Sequence, residues 1–457
     1  MSLLVRGAHK VDAAGEVAGF WMLVDGDRIV ATGSEADHAG PDGDGVVHRT
    51  AGGDAPAGST GDALGLVGAP SASPLRGGAL PAADATVDLR GARLTPGLVD
   101  LHVHGAGGAS YDGDAAELER GLAVHRSHGT TRSLVSLVAN PLPRLRRSLE
   151  TIAALRERDP LVLGAHLEGP FLSPGRKGAH VEGFLAEPTR EAVETLLSAA
   201  PGVVRQVTLA PELPGALDAV RLFVEAGVVV AVGHTQADHA LTAAAFDRGA
   251  TMMTHAFNTM AGIGHREPGP VVAAITDERV TLELILDGTH VHPEVAAILF
   301  AAAPGRVALV TDAMAAAGSD DGDYLLGDLA VTVSGGVALL TGTDTIAGST
   351  LTQDAALRVA LGRARLSPVA AVTALTLTPA RALGLAAGAA SAAGAAGSAG
   401  AAGSAGLPAG GAGPRADAAP ALGLLAPGHA ADAVAWTDDW HVARVWAAGR
   451  EIETAAR

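Results

Sequence analysis

From Leu98 onward, short apolar runs recur along the chain with amphipathic stretches between them. The runs are Leu98–Val103, Thr131–Val138, Leu161–Glu168, Val203–Ala210, Val228–His234, Thr251–His255, Val280–Asp287 and Arg306–Asp312. Short, mostly apolar runs bounded by turn residues read as strands buried on both faces of a parallel sheet. The intervening stretches Glu117–His128, Arg190–Ala199, Leu217–Ala226 and His239–Arg248 carry helical spacing. Strand and helix in alternation predict a parallel α/β fold. Eight such units over about 290 residues predict a (β/α)8 TIM-like barrel, with its reactive face at the C-terminal ends of the strands.

The ends of the chain have a different rhythm. Leu3–Val5, Phe20–Val24 and Arg28–Ala31 are strand-like, with a turn at Asp25-Gly26-Asp27, and Ala433–Trp436 and Val442–Trp446 precede a Gly449-Arg450 turn. These predict a small β-sandwich domain built from both termini. The expected organisation is residues 1–94 and 423–457 in that domain, 95–385 in the barrel, and a flexible insertion over 386–422. A second insertion is read over 34–85; both are rich in Gly, Ala, Ser and Pro and poor in bulky apolar residues, so neither can build a core. Asp323–Leu340, broken by Ser334-Gly335-Gly336, predicts a hairpin over the barrel mouth.

Composition narrows the chemistry. Lys and Arg number 32 against 49 Asp and Glu, for a net charge of -17, which argues against nucleic acid and anionic membrane surfaces as partners. A small anionic substrate is still compatible, because a local Arg or His cluster outweighs a distant, screened field. With no cysteine, any metal must be held by His and carboxylates. No signal-peptide core or membrane-length apolar run is present, so a cytoplasmic protein is expected.

Candidate chemistry collects at the strand ends. His102 and His104 close the first strand, His166 and Glu168 the third, His234 the fifth, His255 the sixth, Asp287 the seventh and Asp312 the eighth. Side chains two apart on a strand share a face, so His102 and His104 form a chelating pair. Glu168, His234 and His255 can supply the two histidines and carboxylate of a hydrolytic zinc site; His102 and His104 could enlarge it or complete a second site, with Glu168 bridging. Iron, manganese or cobalt suits the same donors, as one or two divalent ions. Asp312 is placed to shuttle a proton, although Thr311-Asp312-Ala313 could instead begin a helix.

Together these segments resemble the N-acetylglucosamine-6-phosphate deacetylase family of the amidohydrolase superfamily. The resemblance rests on Thr95-Pro-Gly-Leu-Val-Asp-Leu-His-Val-His-Gly, His166-Leu-Glu-Gly-Pro-Phe-Leu, Lys177-Gly-Ala-His180, Gly233-His-Thr, Thr254-His-Ala-Phe-Asn-Thr-Met, Asp287-Gly-Thr-His290, Thr311-Asp-Ala and Ala347-Gly-Ser. It covers residues 2–450 apart from the two insertions. It implies a divalent metal, most directly zinc, on Glu168, His234 and His255, with Asp312 as general base and acid and His180 polarising the acetamide carbonyl. Ala179, Asn258, Thr259, Ile346, Ala347 and Gly348 then match sugar-contacting positions, and Arg266 and His290 the phosphate-binding ones, with Arg266 reaching across a homodimer interface. Some family members lack the His-x-His pair and resemble single-metal enzymes, whereas both histidines stand here. The implied activity is deacetylation of an amino-sugar 6-phosphate in amino-sugar catabolism or cell-wall sugar recycling. The competing readings are the galacto substrate, another amidohydrolase activity, or a non-catalytic sugar-phosphate sensor.

Overall fold

The computed structural model describes residues 1–35, 80–387 and 419–454. The two insertions read from composition lie, apart from their edges, outside the described residues. Eight parallel strands lie in sequence order: Leu98–Asp100, Thr130–Leu137, Val162–Glu168, Val204–Leu209, Val229–Val232, Met252–Met253, Thr281–Ile285 and Val307–Val310. This is the barrel that the alternating pattern predicts. Its helices bury one stripe against the sheet: in Leu142–Arg158 the inward residues are Leu145, Leu149, Ile152 and Leu155, at helical spacing. Helix starts follow local capping chemistry, as where Asp114 and Glu117 form a capping box at the head of Ala115–Ser127.

The strands are shorter than the apolar runs, and the difference matters at the mouth. The first strand leaves the regular ladder at Asp100, before the histidine pair. First and eighth strands instead join beyond their regular ends. There the Asp312 amide donates to the His102 carbonyl at 2.8 Å, the His104 amide to the Ala313 carbonyl at 2.8 Å, and Val103 bridges Ala313. Asp100 ties the seam from below, accepting from the Thr311 hydroxyl at 2.7 Å. Full burial pushes its carboxyl up to about 7, against the hydrogen bonds of Thr311 and His102.

Barrel interiors are ordinarily filled by layers of branched apolar side chains. Val99, Leu101, Leu134, Ala231, Met252, Ile285, Ala308 and Val310 form such a cluster here. A second set of inward residues is polar and fully buried: Ser136, His166, Gln206, Thr208, Thr254 and Glu283. Such a layer is tolerated only where its groups find partners.

The terminal segments join in one hydrogen-bonded sheet of eight strands. Ser2–Asp12 and Gly15–Asp25 are much longer than the apolar runs that announced them, and Gly26-Asp27 makes the two-residue turn into Arg28–Ser34. Arg93–Pro96 pairs with Ala433–Trp436, and the Trp436 indole donates to the Thr95 hydroxyl at 2.9 Å, stitching the two ends of the chain. One residue, Gly97, then carries the chain into the barrel. A Cβ there would lie 2.2 Å from the Thr131 hydroxyl oxygen, so only glycine fits.

At the mouth the single expected hairpin is a three-stranded antiparallel sheet, Gly322–Leu326, Leu329–Ser334 and Val337–Leu340. An additional two-residue turn, Gly327-Asp328, splits the first arm, Gly327 taking the left-handed conformation such a turn requires. Among the described residues no helix is long and apolar enough to cross a membrane.

Candidate active site

Strand termini place six side chains around one point. Glu168 Oε1 lies 3.1 Å from His234 Nε2 and 3.1 Å from His255 Nε2, and those two ring nitrogens are 3.1 Å apart. The other carboxylate oxygen, Oε2, lies 3.1 Å from His104 Nε2, whose neighbour His102 Nε2 is 3.0 Å away. Asp312 Oδ1 stands 3.4 Å from both His102 Nε2 and His104 Nε2. Glu168 thus sits between two histidine pairs.

These separations match a ligand shell. Arms of 2.0–2.1 Å to a tetrahedral zinc set neighbouring donors about 3.3–3.4 Å apart. Two paired Nε2 atoms cannot satisfy one another as neutral acceptors; they need a shared cation or a proton between them. Burial works against charge on both carboxylates, yet the opposite charges prevail: Glu168 and Asp312 are held well below the ordinary carboxylate range by His102 and His104. Burial likewise disfavours charge on His102, but Glu168 and Asp312 raise it well above the ordinary histidine value. The pocket therefore demands positive charge, and its imidazole and carboxylate donors fit a divalent cation.

His180 approaches the same centre, its Nε2 3.4 Å from Glu168 Oε2, but its chemistry differs. The amide of Ala139 donates to its Nδ1 at 3.2 Å. A neutral ring that accepts at Nδ1 carries its proton on Nε2, so His180 presents a donor to the cleft and not a metal lone pair. Burial, partly opposed by Glu168, lowers its pKa and keeps that neutral form. His166, read from sequence among the strand-end donors, belongs to neither group. Both its nitrogens are engaged, with the Ser136 hydroxyl at 3.0 Å and the Thr208 hydroxyl at 2.8 Å, and it packs edge-on against His102. It points into the barrel because it lies two residues before Glu168, one rung deeper on the same face.

The backbone at the mouth is unusual. His234, His255, Phe257, Thr259 and Asp312 all have positive φ, a region non-glycine residues rarely enter and that concentrates at functional sites. Asp312 is pinned on both sides, its carbonyl accepting from the Ser349 amide at 2.7 Å.

Above the cluster opens a cleft of about 290 Å³. Ala179, His180, Asn258, Thr259, His290, Ile346 and Gly348 line it, as do His104, Glu168, His234, His255 and Asp312. His290 is held by Asp287, which accepts from its Nδ1 at 2.7 Å. Burial lowers the His290 pKa, but the hydrogen bond and charge of Asp287 more than offset this and raise it. Asp287, at the end of the seventh strand, thus serves His290 and stands apart from the ligand cluster.

Two of the expected site residues do not line this cleft. Ala347 is fully buried with Met314, Ala316 and Val331, because the chain alternates and its neighbours Ile346 and Gly348 face the cleft. Arg266 is exposed, its guanidinium 2.7 Å from His265 Nε2, and it does not line its own chain's cleft. Conversely, Asp344, Thr345 and Leu326 line the cleft and carried no sequence signal beyond their place near the mouth sheet. Glu283 was also missed, although a carboxylate inside the apolar run Val280–Leu286 is itself a signal, since burying it is costly without a purpose.

The amidohydrolase family matches residues 93–392. The chain is 36% identical over 361 residues to N-acetylgalactosamine-6-phosphate deacetylase of Escherichia coli O157:H7, covering 78% of this chain and 87% of that protein. It is 35% identical over 318 residues to N-acetylglucosamine-6-phosphate deacetylase of Bos taurus, covering 66% of this chain and 77% of that one. Among solved structures, N-acetyl-D-glucosamine-6-phosphate deacetylase from Mycobacterium smegmatis in complex with N-acetyl-D-glucosamine-6-phosphate superposes with a TM-score of 0.78 at 35% identity, covering 99% of this chain and 100% of that chain.

Proposed function

Since the chain belongs to the amidohydrolase family, we propose that it hydrolyses the acetamide of N-acetyl-D-glucosamine 6-phosphate, giving D-glucosamine 6-phosphate and acetate. The observation that carries this reading is the convergence, in one cleft, of the Glu168, His234 and His255 donors with a carboxylate at Asp312 and a ring N–H donor at His180. The relatives' names support an amino-sugar 6-phosphate as the substrate class.

Glu168, His234 and His255 would hold a divalent ion, zinc by preference, with His102 and His104 sharing Glu168 at a second position. Such an ion lowers the pKa of water and polarises a carbonyl oxygen. The chain's own groups do the rest. Asp312 takes the proton from the attacking water and returns it to the departing amine. His180 donates from Nε2 to the carbonyl oxygen as negative charge develops there. Asn258, Thr259, Ala179 and the Ile346–Gly348 segment orient the sugar. His290, made more basic by Asp287, meets the phosphate.

Arg266 completes the phosphate site from a second copy of the chain in a homodimer. Its exposure, and its absence from its own cleft, support that assignment. A phosphorylated sugar does not cross membranes unaided, which supports a cytoplasmic enzyme, and the chemistry suits amino-sugar catabolism.

The test is acetate release from N-acetylglucosamine 6-phosphate, N-acetylgalactosamine 6-phosphate and unphosphorylated N-acetylglucosamine, on protein assayed for bound metal. Turnover of the gluco phosphate well above the other two supports the reading. Preference for the galacto phosphate replaces the substrate, and no acetate from any of the three overturns the activity.

A further inference from the structure

Glu283 lies inside the barrel on the seventh strand and is fully buried. Its Oε1 accepts from the Gln206 side-chain amide at 2.7 Å. Its Oε2 lies 3.4 Å from Nδ1 of His102, whose Nε2 faces Glu168 and Asp312 on the opposite side of the ring. A carboxylate at this depth is retained only where its charge is compensated. One neutral amide is poor compensation. Among the described residues, its other polar contact is the His102 ring, and through it whatever positive charge the ring ligates.

We propose that Glu283, oriented by Gln206, is a positioning residue for a second metal ion: it accepts a hydrogen bond from the Nδ1–H of His102 and so commits the Nε2 lone pair to the ion shared with His104 and Glu168. This inference rests on the metal reading of the site given above. A carboxylate can only accept, so the ring nitrogen facing it must be the protonated one, and a neutral ring then has its lone pair on Nε2. Carboxylate–histidine–metal chains of this form orient the ring and raise its basicity. Among the other ring donors at the centre, His234 Nδ1 lies 2.9 Å from the Arg176 carbonyl oxygen, while Nδ1 of His104 and of His255 are buried with no hydrogen-bond partner among the described residues. The carboxylate support is thus placed on the His102 side of Glu168, where the His-x-His pair stands, and not on the His234–His255 side. The His166 ring, edge-on to His102 with centroids 4.6 Å apart, leaves His102 little freedom to turn its nitrogens the other way.

The experiment is titration of metal-stripped, full-length protein with Zn2+ alone, followed by calorimetry and by metal analysis after gel filtration. Co2+ absorption serves as a second readout of the ligand field. Wild type is expected to bind two equivalents per chain. Glu283→Leu is expected to bind the first equivalent unchanged and the second about 100-fold more weakly. Glu283→Gln, which keeps an oxygen acceptor and the volume but not the charge, is expected to weaken the second by about tenfold. If Glu283→Leu does not fold, Glu283→Gln decides alone, and an unchanged second affinity overturns the inference. Wild type that binds a single equivalent, or Glu283→Leu that binds both as wild type does, also overturns it while leaving the deacetylase reading intact. A wild-type chain that binds no ion sinks both.

Discussion

The amide nitrogen of Ala139 lies 3.2 Å from Nδ1 of His180, and that single contact determines what His180 can do. Because a backbone amide only donates, the ring proton is placed on Nε2, facing Glu168 across 3.4 Å. His180 lies close enough to Glu168 and His234 to pass for a third ligand on distance alone. Tautomer, not proximity, makes it a hydrogen-bond donor. Replacing it with alanine is therefore expected to lower kcat by about 10²–10³ while KM and bound metal stay close to wild type. Loss of one metal equivalent in His180→Ala would show that it is a ligand after all.

Asp312 stands within 3.4 Å of two ring nitrogens yet is assigned to proton transfer. Asparagine keeps its shape and its backbone bonds to His102 and Ser349 but cannot take a proton. Asp312→Asn is expected to retain metal and fold, by metal analysis and circular dichroism, and to lose about 10²–10⁴ in kcat. Turnover near wild type would remove Asp312 from the chemistry.

His290 gives the site a pH dependence whose sign follows from its partner. Asp287 raises the His290 pKa, so the imidazolium persists below that raised value and is lost as pH rises through it. The His290–Asp287 pair correspondingly adds stability that is fully present below the ordinary histidine value of about 6.5 and disappears on the alkaline side. Above pH 7 the substrate phosphate, whose second pKa is about 6, carries its full charge, so changes in KM there report the protein. KM is expected to rise about 10–100-fold as pH climbs past the His290 transition, the worth of one hydrogen bond to a charged group. Asp287→Asn should move that rise to lower pH, and His290→Gln should give a high KM without it. A wild-type KM flat up to pH 10 would detach His290 from the phosphate.

How much of this was legible in the sequence depended on how local the responsible physics is. The runs at Thr131–Val138 and Leu161–Glu168 announce buried strands because burial on both faces favours mostly apolar residues, and the structure has strands at Thr130–Leu137 and Val162–Glu168. The face shared by His102 and His104 follows from the period of two, and the convergence of Glu168, His234, His255 and Asp312 follows from barrel closure once eight strands are counted. Turn-rich regions are less legible: Gly327-Asp328 is a two-residue turn between Leu326 and Leu329 inside what the pattern predicts as one arm of a hairpin.

What the chain by itself determined was the order of its elements and which residue types stand at the strand ends, since both are set by spacing between near neighbours. The tertiary structure alone decided their states and allegiances. His180 became a donor through an amide 41 residues away, and His102 meets Glu283 across 181 residues. His166 was taken out of the ligand set by hydroxyls on the two adjacent strands, and Arg266 was left outside its own cleft. A hydrogen-bond partner is chosen by geometry through space, and no periodicity along the backbone encodes a contact of that range.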